Sequence, residues 1–145
     1  MSITQVDIDP KEEPGVYDRP SAVMPSVDLL VLGSFEDPDT TDASGLVVEL
    51  IDLYLKEATR VFEAMRQGIE TEDWSVVKRA AHSLRGSSGN LGVLRMAGIC
   101  DRMEHSELSH TLANQLLHDL EEEFVQVGHI LVAERQRRCG ANTDR

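Results

Sequence analysis

The amino-acid sequence predicts an all-α protein, an antiparallel four-helix bundle with a short additional N-terminal helix. Three observations carry this. Apolar residues recur at i, i+3, i+4 and i+7 from Val47 to Leu131, the period of one face of an α-helix. All five prolines fall at positions 10, 14, 20, 25 and 38, and the remaining 107 residues hold none, so long helices can run uninterrupted there. Alternating runs that would mark strands are absent. Amphipathic helices joined by short connections pack as antiparallel neighbours.

Each element follows in order. Residues 1–24 mix Asp, Glu, Pro and small residues, a composition expected to be a disordered or loosely packed head. Residues 27–35, VDLLVLGSF, read as a short helix packed on the body, and 36–45 as a loop. Val47, Leu50, Ile51, Tyr54, Ala58, Val61, Phe62 and Met65 form the stripe of the first bundle helix, with Gly68 near its end. Thr71 or Asp73 is placed to cap the next helix. Its stripe is Trp74, Val77, Ala81, Leu84, Ser88 and Leu91, and Asn90-Leu91-Gly92 reads as its stop. Val93, Ala97, Cys100 and Met103 mark a third helix. After HSELSHT, a fourth turns Leu116, Leu117, Leu120, Phe124, Val127 and Leu131 inward. The bundle is thus expected over 25–137, with 138–145 a polar tail.

Composition narrows the function. The formal net charge is −12 and aromatics make up 4% of residues, so Leu, Val, Ala and Met must build the core. Such an acidic chain is not a general nucleic-acid binder, because phosphate backbones require a basic surface. Nor does it suit an anionic membrane. The charge is uneven. Residues 1–44 carry ten acids and two bases, whereas 74–100 carry Lys78, Arg79, Arg85 and Arg95 and no acid. Cys100 lies in an apolar run and Cys139 in a polar one, which fits reduced thiols. A signal pattern and an apolar run of 18 residues are both lacking, so a soluble cytoplasmic protein is expected.

The basic window contains AHSLRGSSGNLG, residues 81–92, with His82 followed by Gly86, Gly89 and Gly92. Each glycine inside a helix costs about 0.5–1 kcal/mol relative to alanine. Ala81 is on the core stripe, so His82 lies about 100° further round, at the stripe's edge. Lys78, Arg79, Arg85 and Gly86 are one turn away and Gly89 two. The histidine's face therefore carries cations and two residues without side chains. One account is an accessible histidine hospitable to phosphate, with the glycines clearing a partner's approach. The other is a half-buried histidine near a frayed helix end. The residues alone leave both open.

The segment AAHSLRGSSGNLGVLRMAGICDRME, residues 80–104, resembles the signature of histidine-containing phosphotransfer (HPt) domains, roughly His-x-Leu-Lys-Gly-x-Ser/Ala-x-x-Leu/Phe-Gly. His82, Leu84, Gly86, Ser88, Leu91 and Gly92 match in register. Residues 46–83 resemble the family's leading helix and the Asp-Trp turn before the histidine helix. The likeness covers about residues 27–135. Arg85 departs from it, standing where the family usually has lysine, which keeps the charge but not its point geometry.

The resemblance implies a phosphorelay. His82 would be the phosphoacceptor, taking a phosphoryl group on Nε2 from a receiver-domain aspartyl phosphate and passing it to another receiver. Neutral imidazole is the nucleophilic form. Lys78, Arg79 and Arg85 would offset charge on the phosphoryl oxygens, with Gly86 and Gly89 facing the partner. Glu104 falls near where the next helix returns beside His82; it could orient the other ring nitrogen or be a solvated surface acid. The implied partners are the receiver domains of a hybrid sensor histidine kinase and of a response regulator, met by a monomer.

The implied protein is a phosphocarrier with no ATP site or kinase activity of its own. It needs no cofactor, since magnesium would come with the receiver. No metal site is expected: Glu107 and His110 form a Glu-x-x-His pattern once, without the second copy that metal-binding bundles use. His105, His118 and His129 are scattered. The alternative is a non-transferring adaptor that binds a receiver or kinase.

Overall fold

The computed structural model describes residues 25–35 and 43–143. The expected head, 1–24, and most of the expected loop, 36–42, lie outside the described residues. Five helices follow in order: α1 (Leu29–Gly33), α2 (Ala43–Glu70), α3 (Trp74–Asn90), α4 (Leu94–His105) and α5 (His110–Thr143). No strand occurs among the described residues. α2 packs on α3 and α5, and α4 packs on α3 and α5. The four long helices thus form the expected bundle, with α1 as the additional short helix.

Periodicity becomes burial. In α2 the buried stripe is Val47, Ile51, Tyr54, Ala58, Phe62, Met65 and Ile69, spaced by three or four residues. α3 contributes Val77, Ala81, Leu84 and Ser88. α4 contributes Met96, Ile99, Cys100 and Met103, so Ala97, expected inside, is only half-buried. Fully burying a Leu, Ile or Met side chain is worth about 1.5–3 kcal/mol, and this shared core sets how the helices are rotated against one another.

The turns are built from local chemistry. Asp73 caps α3, accepting from the Val76 amide at 3.4 Å. At the other end Gly92 has φ +78. The Val93 amide reaches back to the Ser88 carbonyl at 2.8 Å and the Gly92 amide to Gly89 at 3.1 Å, the paired bonds of a Schellman stop. A side chain at Gly92 would also strike the Asp28 carbonyl and Val31 Cβ, each 2.8 Å away.

Two boundaries differ from the sequence reading. α2 begins at Ala43, so residues 43–45 are helical rather than loop. α5 runs for 34 residues to Thr143, through the span expected to be a tail from 138. The reason is that Glu134 and Arg138 occupy the next two inward positions after Leu131. Both are buried, and Arg138 Nε donates to Glu134 Oε2 at 2.7 Å. An ion pair continues the stripe where a search for apolar residues stops. No helix among the described residues is long and apolar enough to cross a membrane.

Candidate functional site

His82 sits in the middle of α3 between buried Ala81 and buried Leu84, and its own side chain is 63% exposed. The frayed-end account therefore fails: α3 continues for two more turns beyond it. α4 returns antiparallel beside α3. With Cys100 and Met103 turned into the core, Glu104 falls at the seam between the two helices. Its Oε2 lies 2.6 Å from His82 Nδ1, and Arg85 Nε donates to its Oε1 at 2.9 Å.

Burial works against charge on Glu104. The hydrogen bonds from His82 and Arg85, with the guanidinium charge, outweigh it and hold the carboxyl below its ordinary range. An ionised carboxylate only accepts, so His82 Nδ1 carries the proton and donates it. Nε2 is then the nitrogen with a free lone pair. Arg85 Nη2 also approaches Nδ1 at 3.3 Å; in this tautomer both are donors, and the contact is a close approach.

The remaining expected residues fall as follows. Lys78 is half-buried and Arg79 exposed, one turn before His82 on α3. Gly86 and Gly89 are exposed and helical, and a Cβ on either would meet nothing within 4 Å. The bundle's packing does not require glycine there, in contrast to Gly92. Gly86 borders an open groove of about 720 Å³, which Phe35, Leu50, Leu53 and Tyr54 line opposite Ser83 and Ser87. Arg85 does not stand with the free-facing cations: its guanidinium is on the Glu104 side, 4.0 Å from Asp101 Oδ1 as well.

Sequence reasoning missed two features. Asp101, Glu104 and His105 bring ligand-type atoms within 4.8 Å of one another, but His105 Nδ1 is engaged with Asp101 and the Arg85 guanidinium already lies against both carboxylates. In the core, the Tyr54 and Ser88 hydroxyls are 2.7 Å apart, with Met96 Sδ 3.6 Å from the tyrosine oxygen. A serine on the buried stripe was the available signal, because a buried hydroxyl needs a partner. Burial pushes the Tyr54 hydroxyl and the Cys100 thiol well above their ordinary ranges, which leaves Cys100 a packing residue. Glu107 and His110 are both exposed, and His110 stands edge-on to Trp74 at 6.5 Å.

Comparison with known proteins places the fold in a family. The Hpt domain family matches residues 49–129, a span containing His82, Arg85 and Glu104. The phosphorelay intermediate protein YPD1 of Saccharomyces cerevisiae is 27% identical over 99 residues, 66% of this chain and 57% of that protein. The chain therefore spans a little over half the length of that relative. The crystal structure of histidine-containing phosphotransfer protein B from Pseudomonas aeruginosa superposes with a TM-score of 0.68 at 28% identity. The superposition covers 81% of this chain and 98% of that one. A family match over more than half of the sequence, on a four-helix bundle with an exposed histidine at its α3–α4 seam, shows that this chain belongs to the Hpt domain family.

Proposed function

We propose that this protein is a phosphohistidine carrier in a multistep phosphorelay, with His82 as its phosphoacceptor. The observation that carries the reading is the division of the imidazole: Nδ1–H is committed to Glu104 at 2.6 Å while the side chain remains 63% exposed. That leaves Nε2 as an accessible nucleophile of fixed orientation.

The Nε2 lone pair attacks the phosphorus of a receiver's aspartyl phosphate in line. The N–P bond forms as the bond from phosphorus to the aspartate oxygen breaks, and the carboxylate leaves with the electron pair. The ring becomes cationic, and the Nδ1–H···Glu104 bond strengthens as it does. The reverse sequence delivers the group to a second receiver. Lys78 and Arg79 supply positive charge on the approach side, and Gly86 and Gly89 leave that side open. Charge stabilisation at the phosphoryl oxygens includes the receiver's own magnesium. This chain acts as a cytoplasmic monomer and binds no nucleotide; its partners are the receiver domains of a hybrid sensor kinase and of a response regulator.

The test is incubation with phosphorylated receiver domains, followed by detection of acid-labile phosphate on the chain. Wild type takes up the label, and His82→Gln does not while keeping its helical circular dichroism. Label on His105 or His110 in the His82→Gln variant would refute the assignment. A stable complex with no label on wild type would identify an adaptor instead.

A further inference from the structure

We infer that Arg85 is a positioning residue that acts through Glu104, and that the guanidinium does not serve as a contact to the phosphoryl group. The inference rests on the phosphotransfer reading above and concerns the same site.

A carboxylate behind the accepting imidazole has opposed effects. It fixes the tautomer by accepting from Nδ1–H, which frees Nε2. It also places a negative charge close to a ring that must receive an anionic phosphoryl group. A single free carboxylate would moreover hold the ring loosely, since a glutamate side chain has several rotamers. Arg85 answers both. Its Nε donates to Glu104 Oε1 at 2.9 Å while Oε2 takes His82 Nδ1–H at 2.6 Å. The two oxygens are used by two different donors, and the carboxylate cannot turn away from one without breaking from the other.

The guanidinium charge offsets that of the carboxylate. Asp101, 4.0 Å from Arg85 Nε, holds the guanidinium from its other side. Placed thus, the guanidinium is on the Nδ1 side of the ring, and phosphoryl transfer occurs at Nε2. A planar fork of donors suits this role, whereas a lysine ammonium is a point charge. Lys78 and Arg79 are left as the cations for the approaching phosphate.

The test uses the full chain, labelled with ¹⁵N, and reads the His82 ring nitrogens by long-range ¹⁵N–¹H correlation at a pH where the ring is neutral. Wild type shows the Nδ1–H tautomer. Arg85→Met releases Glu104 and gives a mixture of tautomers, with transfer from a phosphorylated receiver slowed by about ten- to a hundredfold, the scale of a misplaced reacting group. Arg85→Lys restores part of the tautomer bias. Because Arg85 acts through Glu104, the Arg85→Met/Glu104→Gln double variant transfers no more slowly than Glu104→Gln alone.

An Arg85→Met variant that keeps the wild-type tautomer overturns the inference, whatever its transfer rate. So do losses that multiply in the double variant, since those would mean direct contact with the phosphoryl group. If wild type accepts no phosphoryl group at all, the functional reading fails, and the tautomer comparison still decides the place of Arg85.

Discussion

The Asp28 amide donates to the Gly92 carbonyl at 2.7 Å, which stitches the segment entering α1 to the turn that ends the His82 helix. The same turn needs φ +78 at Gly92, and Asp28 and Val31 leave no room there for a side chain. Ser26 adds a second tie, its hydroxyl donating to Glu123 Oε2 at 2.5 Å. α1 is thereby held against the end of the bundle where Phe35 borders the groove beside Gly86.

The glycines of the histidine helix should accordingly behave in opposite ways. Gly86→Ala and Gly89→Ala each stabilise the free protein by about 0.5–1 kcal/mol, because helical backbone is kept and unfolded-state entropy falls. Gly92→Ala destabilises by more than ~1 kcal/mol, through its left-handed backbone and the blocked space. Gly86→Leu keeps the melting temperature but slows transfer by obstructing the partner. Thermal melts beside single-turnover transfer make the comparison; a lowered melting temperature with normal transfer in Gly86→Leu would remove the approach-path account.

Glu104 confers a defined pH dependence. Its folded pKa is lowered, so its contribution to stability is fully present above the unfolded value of about 4.3 and is lost as pH falls through the lower folded value. Wild type should therefore be more stable than Glu104→Gln near neutrality, and the difference should shrink as pH falls below about 4.3. Denaturation midpoints for the two proteins between neutral and acid pH measure it. A difference that grows on acidification contradicts the arrangement.

The Tyr54–Ser88 hydroxyl pair joins α2 to the histidine helix inside the core. Tyr54→Phe leaves the serine without this partner and costs about 1–3 kcal/mol. Adding Ser88→Ala removes the orphaned hydroxyl, so the double variant is less destabilised than the sum of the singles. Additive losses in urea denaturation would show that the two hydroxyls do not depend on each other.

The C-terminal half of α5 is part of the bundle. Arg138→Met leaves Glu134 buried beside Arg137, whose Nη2 donates to its Oε2 at 2.5 Å. The expected loss is about 1–3 kcal/mol, below the 3–5 kcal/mol of an isolated buried pair. Removing residues 138–145 should lower the denaturation midpoint at least as much. An unchanged midpoint in the truncated chain would return the boundary to 137.

Much of the fold was legible because it is written in local chemistry. Helix periodicity, a cap at Thr71 or Asp73 and the Asn90-Leu91-Gly92 stop each depend on residues within a few positions of one another; each is in place, with Asp73 as the cap. The edge position of His82 followed from its offset of one residue from buried Ala81, and the structure resolved that edge as exposed rather than half-buried. The C-terminal extent was not legible, because Glu134 and Arg138 are inward residues only as a pair; singly, each reads as solvated surface.

The chain's order of residues alone thus determined a helical bundle with a histidine at the edge of a core stripe inside a basic window; that this histidine is exposed mid-helix was settled by the structure. Whether Glu104 was a surface acid or the partner of that histidine was decided only by tertiary structure. Each residue advances 100° around a helix, so a modest rotation of α4 would swing Glu104 into solvent. The rotation is set by Met96, Ile99, Cys100 and Met103 filling the core. The same packing brings Arg85 and Asp101 to the carboxylate's side of the imidazole, a placement that sequence spacing does not encode.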